Sequence, residues 1–146
     1  MKIGDHNVDW LGDPHMGRKF KTGVPLHRLG DREEMQWKQL EDELMATEAD
    51  VHVCMGDIFD KFIVSPETVL RVAGLYHTAC EGKPNTQFIL IKGNHDVSRN
   101  AEKASSFDLL LRIVQKYGNM WVVDQEPVAW ENLGFVPYDP FRPTTE

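Results

Sequence analysis

The sequence predicts an α/β fold built on a largely parallel sheet. Short apolar runs of strand length alternate with amphipathic segments of helix length as far as Val123, a pattern typical of βαβ units. Polar motifs follow three of the apolar runs. Ligands of open α/β sheets bind beyond the carboxyl ends of the strands, so these motifs are the candidate site.

The first half of the chain contains two predicted strands and one predicted helix. Residues 8–11 form the first strand, and a glycine-containing stretch up to Asp31 reads as a long loop. Residues 32–47 place apolar side chains near helical spacing, which predicts a helix capped by Asp31. Residues 51–55 form the next strand.

The second half continues the alternation. Ser65 is predicted to cap a helix that starts at Pro66 and ends near Cys80. A strand over residues 87–92 and a helix over 106–117, stopped by Gly118, follow. Short strands are predicted over 120–123, 128–131 and 133–136, with a tight hairpin around Asn132 between the last two.

The composition is that of a globular domain. The 146 residues are 41% hydrophobic and 10% aromatic, which is enough for a substantial core. No apolar run approaches the roughly 18 residues of a membrane span, and the N-terminus has no apolar signal core. We therefore expect a cytoplasmic protein with no membrane partner, in which Cys54 and Cys80 are buried, reduced thiols rather than a disulfide.

The formal net charge of −7 is not typical of a nucleic-acid binder, but the charge is unevenly distributed. Four basic residues and no acidic residue lie between Met16 and Gly30. This loop is either solvated or forms a phosphate-facing rim beside the first motif. The four residues are Arg18, Lys19, Lys21 and Arg28.

Three motifs at strand ends combine metal-binding and acid–base side chains. They are Asp13-Pro14-His15, Gly56-Asp57-Ile58-Phe59-Asp60 and Gly93-Asn94-His95-Asp96. Each could be an ordinary turn by itself, but all three follow predicted strands. Parallel strands bring their carboxyl ends to one edge of the sheet, so the motifs are expected to face a common cleft.

The side chains of these motifs suit a centre of two divalent metals. If the chain stays extended, Asp13 and His15 leave it on the same face. A carboxylate with an imidazole suits manganese, iron or zinc, Asp57 could bridge two metals, and Asn94 offers a neutral oxygen. His95 could give a proton to a leaving group. Two metals about 4 Å apart clamp the attacking and leaving oxygens of a phosphoester displacement.

In order and position, the motifs resemble the D-x-H, G-D-x-x-D and G-N-H-D motifs of the calcineurin-like metallophosphoesterases. Within that family, the apolar residue and glycine after His15 and the phenylalanine at position 59 are most similar to SbcD-type (Mre-type) DNA nuclease subunits. The resemblance implies a layered αββα fold and two divalent metals, first of all manganese, with iron, zinc or magnesium as alternatives. It also implies DNA as substrate and either an SbcC-like ATPase partner or a homodimer.

The resemblance also implies a role for each matching residue. The implied metal ligands are Asp13 and His15 for the first metal, Asp57 as the bridge, and Asn94 for the second metal. His95 would assist the leaving oxygen and contact the scissile phosphate. Arg18 and Lys19 would bind the substrate, whereas Asp60 and Asp96 would orient their neighbours.

The sequence departs from the family pattern after His95, because residues 97–146 contain no histidine whereas the family adds a later histidine and a G-H-x-H motif. We therefore expect residues 1–146 to form a single metallophosphoesterase domain that is incomplete at its C-terminus. It would be a truncation, a split gene product, or a fragment completed by another chain. The alternative functions are a small-molecule phosphatase or cyclic-nucleotide phosphodiesterase, and an inactive binding or assembly subunit.

Overall fold

The computed structural model describes residues 2–12, 14–93, 104–124, 126–131 and 133–135. Across these ranges the strands are β1 (Lys2–Ile3), β2 (His6–Leu11), β3 (Val51–Cys54), β4 (Gln87–Ile91), β5 (Met120–Val123), β6 (Val128–Trp130) and β7 (Leu133–Phe135). The helices are α1 (Asp31–Ala46), α2 (Pro66–Gly82) and α3 (Ser106–Val114), with a short 3-10 turn at Leu26–Arg28.

The main sheet is parallel, as the alternation of strands and helices predicts. Within the described ranges it has five strands in the order β1-β2-β3-β4-β5. The pairs β2–β3, β3–β4 and β4–β5 are parallel, and only the short β1 runs antiparallel to β2. The carboxyl ends of β2, β3 and β4 therefore adjoin at one edge of the sheet, which is where the three motifs begin.

The two faces of the sheet pack against different layers. On one face, Cys54, Phe88 and Leu90 join the apolar sides of the three helices in a buried core. On the other face, strand residues such as Val53 and Ile89 pack against the antiparallel hairpin of β6 and β7. Because side chains alternate along a strand, each central strand supplies both cores. The α/β prediction is thus confirmed, in a layered form of helices, sheet and β-hairpin.

The helix starts follow local capping chemistry, with one correction. The Ser65 hydroxyl accepts a hydrogen bond from the Thr68 backbone N–H at the start of α2, as predicted, and Pro66 follows it. At α1, however, Gly30 is the capping residue, with φ of +91°. The prediction that Asp31 is the cap is wrong: Asp31 lies in the first helical turn, and its carboxylate pairs with Arg28 at 3.6 Å.

The last helix is shorter than its apolar pattern predicts. It ends at Val114 rather than at Tyr117, whose side chain instead contacts His77 on α2 through a ring nitrogen and the phenol oxygen. Among the described residues, no helix is long and apolar enough to cross a membrane. Cys54 and Cys80 are both buried and are not joined in a disulfide, as predicted.

Candidate metal centre

Three backbone hydrogen bonds join the described residues of the loops that follow β2 and β3. The N–H of His15 donates to the carbonyl of Asp57 at 3.0 Å, that of Met16 to Ile58 at 2.7 Å, and that of Asp60 to Met16 at 2.9 Å. The Met16 side chain is fully buried, which anchors the first loop in the helix-side core. Backbone hydrogen bonds therefore hold the first two motifs next to each other.

His15 and Asp57 share an unusual backbone conformation. Both have φ of +47°, in the left-handed region that costs a residue with a side chain about 1 to 2 kcal/mol. Such conformations persist where surrounding contacts hold them, and they cluster at functional sites. Here the hydrogen bond between the two residues is one of the contacts that hold them.

Two glycines allow the third motif to touch the second. Gly56 has φ of +115°, and a Cβ there would lie 2.9 Å from the Cα of Gly93. A Cβ on Gly93 would lie 2.9 Å from Cγ of Asp57 and closer still to its backbone nitrogen. No side chain fits at either position, so glycine is required for the two loops to approach.

A carboxylate lies next to the imidazole of His15. Oδ1 of Asp60 is 4.0 Å from Nδ1 of His15 and 3.9 Å from Nε of Arg18. Metal-binding histidines usually present one ring nitrogen to a carboxylate or carbonyl, which orients the other nitrogen toward the metal. Asp60 lies on the Nδ1 side of the ring at an ion-pair distance, which is longer than a hydrogen bond.

The donor groups of the described residues fit a divalent metal, although they do not make a complete site. The side chain of His15 is 24% exposed, Asp57 is 8% exposed, and the backbone hydrogen bond makes the two residues neighbours. This combination suits borderline divalent metals. Within the described ranges, no group of three or more histidine, cysteine, aspartate or glutamate residues could hold a metal. The remaining motif side chains, Asp13, Asn94, His95 and Asp96, lie outside those ranges.

Acidic residues from outside the basic loop lie beside it in the folded chain. Arg18 pairs with Asp60, and Arg28 with Asp31. Glu33 accepts a hydrogen bond from the backbone N–H of Phe20. This bond and one from its own N–H lower the pKa of Glu33, and nearby Lys19 adds to the effect. The loop segment itself contains no acidic residue, but acidic side chains from other segments lie beside it on the folded surface.

The sequence pattern did not single out two residues around this loop. The guanidinium of Arg32 lies 4.5 Å from the centre of the Phe20 ring, and that of Arg18 lies 5.9 Å from it. The side-chain nitrogen of Gln36 donates to the carbonyl of Pro14 at 2.6 Å and approaches that of His15 at 3.3 Å. Glutamine and arginine are common on helix surfaces, so neither carries a sequence signal of its own.

A buried histidine lies behind the motifs on the helix side of the sheet. His52 on β3 is fully buried, and its Nε2 is 3.8 Å from a carboxylate oxygen of Glu43 on α1. Burial lowers the pKa of His52, while Glu43 and Asp9 oppose that shift. Its position under α1 makes it a core residue and not part of the metal centre.

Comparison with known proteins identifies the family. No curated protein matches the chain. The solved structures similar to it include the crystal structure of Pseudomonas putida nuclease MPE, with 21% sequence identity and a TM-score of 0.47 over 86% of this chain and 50% of that one. The chain thus spans half the length of that nuclease. The family model of the calcineurin-like phosphoesterases matches residues 6–139, nearly the whole sequence, and the chain therefore belongs to this family.

Proposed function

We propose that the chain binds divalent metal ions at the edge of its parallel sheet and takes part in the hydrolysis of phosphodiester bonds in DNA. The observation that carries this proposal is the hydrogen-bonded pair of His15 and Asp57 beyond the ends of β2 and β3. Family membership supports the same reaction class, because calcineurin-like phosphoesterases generally bind divalent metals.

The residues proposed to hold the metals are Asp13, His15, Asp57 and Asn94. Manganese is the first candidate, with iron, zinc or magnesium as alternatives, since imidazole, carboxylate and amide oxygens suit this group of ions. When bound, such metals polarise a phosphoryl oxygen and make water a better nucleophile. Of the chain's own groups, Asp60 orients the imidazole of His15, and His95 protonates the leaving oxygen.

The proposal of DNA as substrate rests on the charged rim next to His15. Arg18 and Lys19 come shortly after the first motif in the sequence, and Arg32 reaches the same surface by stacking on Phe20. Side chains of this kind can neutralise backbone phosphates without reading bases. The Arg18 side chain, which pairs with Asp60, is 57% exposed. A phosphate can therefore compete for this guanidinium at little energetic cost.

The test is a manganese titration by calorimetry, paired with hydrolysis assays on bis(p-nitrophenyl) phosphate and on linear duplex DNA. His15→Ala and Asp57→Asn should each weaken manganese binding by tenfold or more, by analogy with the about 10- to 100-fold cost of losing residues that support a metal site. Gln39→Ala, an exposed residue on α1, serves as the control and should bind like the wild type.

The same titration separates the proposed roles. His95→Ala should keep metal binding and lose most of the hydrolysis that a completed enzyme shows, because the residue is proposed to be an acid and not a ligand. Metal binding that survives both His15→Ala and Asp57→Asn would disprove the proposed centre. Metal binding with no hydrolysis of either substrate would instead favour a binding or assembly subunit, and hydrolysis of the small diester without DNA would favour a small-molecule enzyme.

A further inference from the structure

The side chain of Gln36 connects α1 to the first motif. Its amide nitrogen donates to the carbonyl of Pro14 at 2.6 Å and lies 3.3 Å from the carbonyl of His15. Carbonyl oxygens can only accept hydrogen bonds, so the nitrogen of the amide must be the atom that faces them. One side chain thus holds the carbonyls on both sides of the His15 α-carbon.

The His15 residue is therefore held from two directions. Its N–H is bound by the carbonyl of Asp57 on the loop after β3, and the carbonyls around it are bound by Gln36. This matters because His15 has φ of +47°, a conformation that a histidine leaves readily unless surrounding contacts oppose the change. Rotation of this backbone would change the direction in which the imidazole points.

Helix α1 is a rigid support for this contact. Leu40 and Leu44, on the following turns of α1, are 2% and 0% exposed and belong to the helix-side core. Gln36 itself is half-buried and borders the groove between α1 and β2. A side chain on a packed helix holds its partner more firmly than one on a loop.

We propose that Gln36 is a positioning residue that fixes the backbone of His15 and so aims its imidazole at the metal. This inference rests on the proposed function, in which His15 is a ligand. Gln36 itself is proposed to touch neither metal nor substrate, and its effect passes through His15.

The experiment compares Gln36→Ala, Gln36→Glu and the control Gln39→Ala in the full chain. The first measurement is amide hydrogen exchange at His15 and Met16, which requires no metal. Exchange at both amides should be about tenfold faster in the two Gln36 variants, because local opening becomes easier. Exchange at Val53 and Leu90 should stay at the wild-type rate, as should all four amides in Gln39→Ala.

The second measurement is manganese affinity, which should fall by about 10- to 100-fold in both Gln36 variants, as for other residues that orient a ligand. The glutamate variant is informative because its added negative charge alone would strengthen cation binding. A fall in that variant therefore reports position and not charge. The thermal midpoint of each variant checks that the chain is folded.

The possible outcomes distinguish this inference from the proposed function. Unchanged exchange at His15 in Gln36→Ala, or faster exchange with wild-type manganese affinity while His15→Ala loses the metal, would overturn the positioning role and leave the proposed function standing. Wild-type affinity in His15→Ala would overturn the proposed function, and with it the ligand-directing role of Gln36.

Discussion

The backbone N–H of His15 donates a hydrogen bond to the carbonyl of Asp57 over 3.0 Å, and both residues have φ of +47°. Further along, Met16 forms a parallel bridge with Phe59. This bridge has the same register as the pairing of Leu11 with Cys54 in the sheet. The parallel pairing of β2 and β3 therefore continues into the motif loops. The sheet itself determines which site residues become neighbours.

The contact between the second and third motifs predicts a strong effect of Gly93→Ala. A Cβ at this position would overlap the backbone nitrogen and Oδ1 of Asp57. We expect a loss of about 2 kcal/mol in the free energy of unfolding, typical of overpacking a tight contact. Urea denaturation measures it. Gly118→Ala is the control, because a Cβ there meets nothing within 4 Å; equal stabilities of the two variants would contradict the prediction.

The basic loop predicts salt-dependent binding to DNA. Replacing Arg18, Lys19, Lys21 and Arg28 with serine should reduce the slope of log K against log salt by about 2 to 3, somewhat below the full value for four phosphate contacts. The reduction is partial because Arg18 and Arg28 are already paired with Asp60 and Asp31.

Binding of a short duplex, followed by fluorescence anisotropy at several salt concentrations, measures this slope. The control variant replaces Lys38 and Lys116 with serine, because both lie outside the loop, on α1 and after α3. A slope that the four-residue change leaves at its wild-type value would identify the loop as an ordinary solvated surface. Hydrolysis of the small diester should be nearly unaffected in both variants.

The buried imidazole of His52 predicts a loss of stability in mild acid. Burial lowers its pKa in the folded chain, so below about pH 6.5 the unfolded chain binds a proton that the folded chain still excludes. The unfolded state then holds more protons, and stability must fall as the pH is lowered.

Comparison with His52→Phe isolates this effect. As the pH falls from 7.5 to 5.5, the wild type should lose unfolding free energy relative to His52→Phe. The loss should be no more than about 1.4 kcal/mol per pH unit. Denaturation by urea across this range measures the difference. A difference that does not vary with pH would show that His52 has the same pKa in both states.

Asn119 predicts a stability effect far from the metal centre. Its side-chain nitrogen lies 3.0 to 3.2 Å from the carbonyls of Cys80, Lys83 and Thr86. These contacts connect the end of α2 to the start of β5. Asn119→Ala should cost about 2 kcal/mol, because it removes a hydrogen-bond donor from three carbonyls, of which that of Lys83 still accepts from the Thr86 N–H. Asn119→Asp should cost more, since a carboxylate repels these oxygens. A change below 0.5 kcal/mol, the usual limit of surface substitutions, would refute the prediction.

The cysteines are predicted to be inert toward thiol reagents in the folded chain. Burial, assisted by Glu81, raises the pKa of Cys80 to about 12, and Cys54 is 1% exposed. The thiolate is the reactive form, so modification at pH 8 should proceed no faster than unfolding. Rapid labelling of either thiol without urea would contradict this, and labelling of both in urea is the positive control.

The sequence by itself determined the class of fold and the location of its chemistry. Alternating apolar runs and amphipathic segments specify strands and helices through local side-chain periodicity. The start of α2 is equally local, because Ser65 and Pro66 act on the residues immediately after them. The positions of the three motifs after strands are likewise readable from the order of residues alone.

Only the tertiary structure decided how these parts meet. Three features depend on contacts between segments that are distant in the chain. They are the left-handed backbones of His15 and Asp57, the pairing of Arg18 with Asp60, and the contact of Gln36 with the first motif. Local periodicity carries no information about such contacts, because they depend on strand register and helix packing, which arise only when the whole sheet forms.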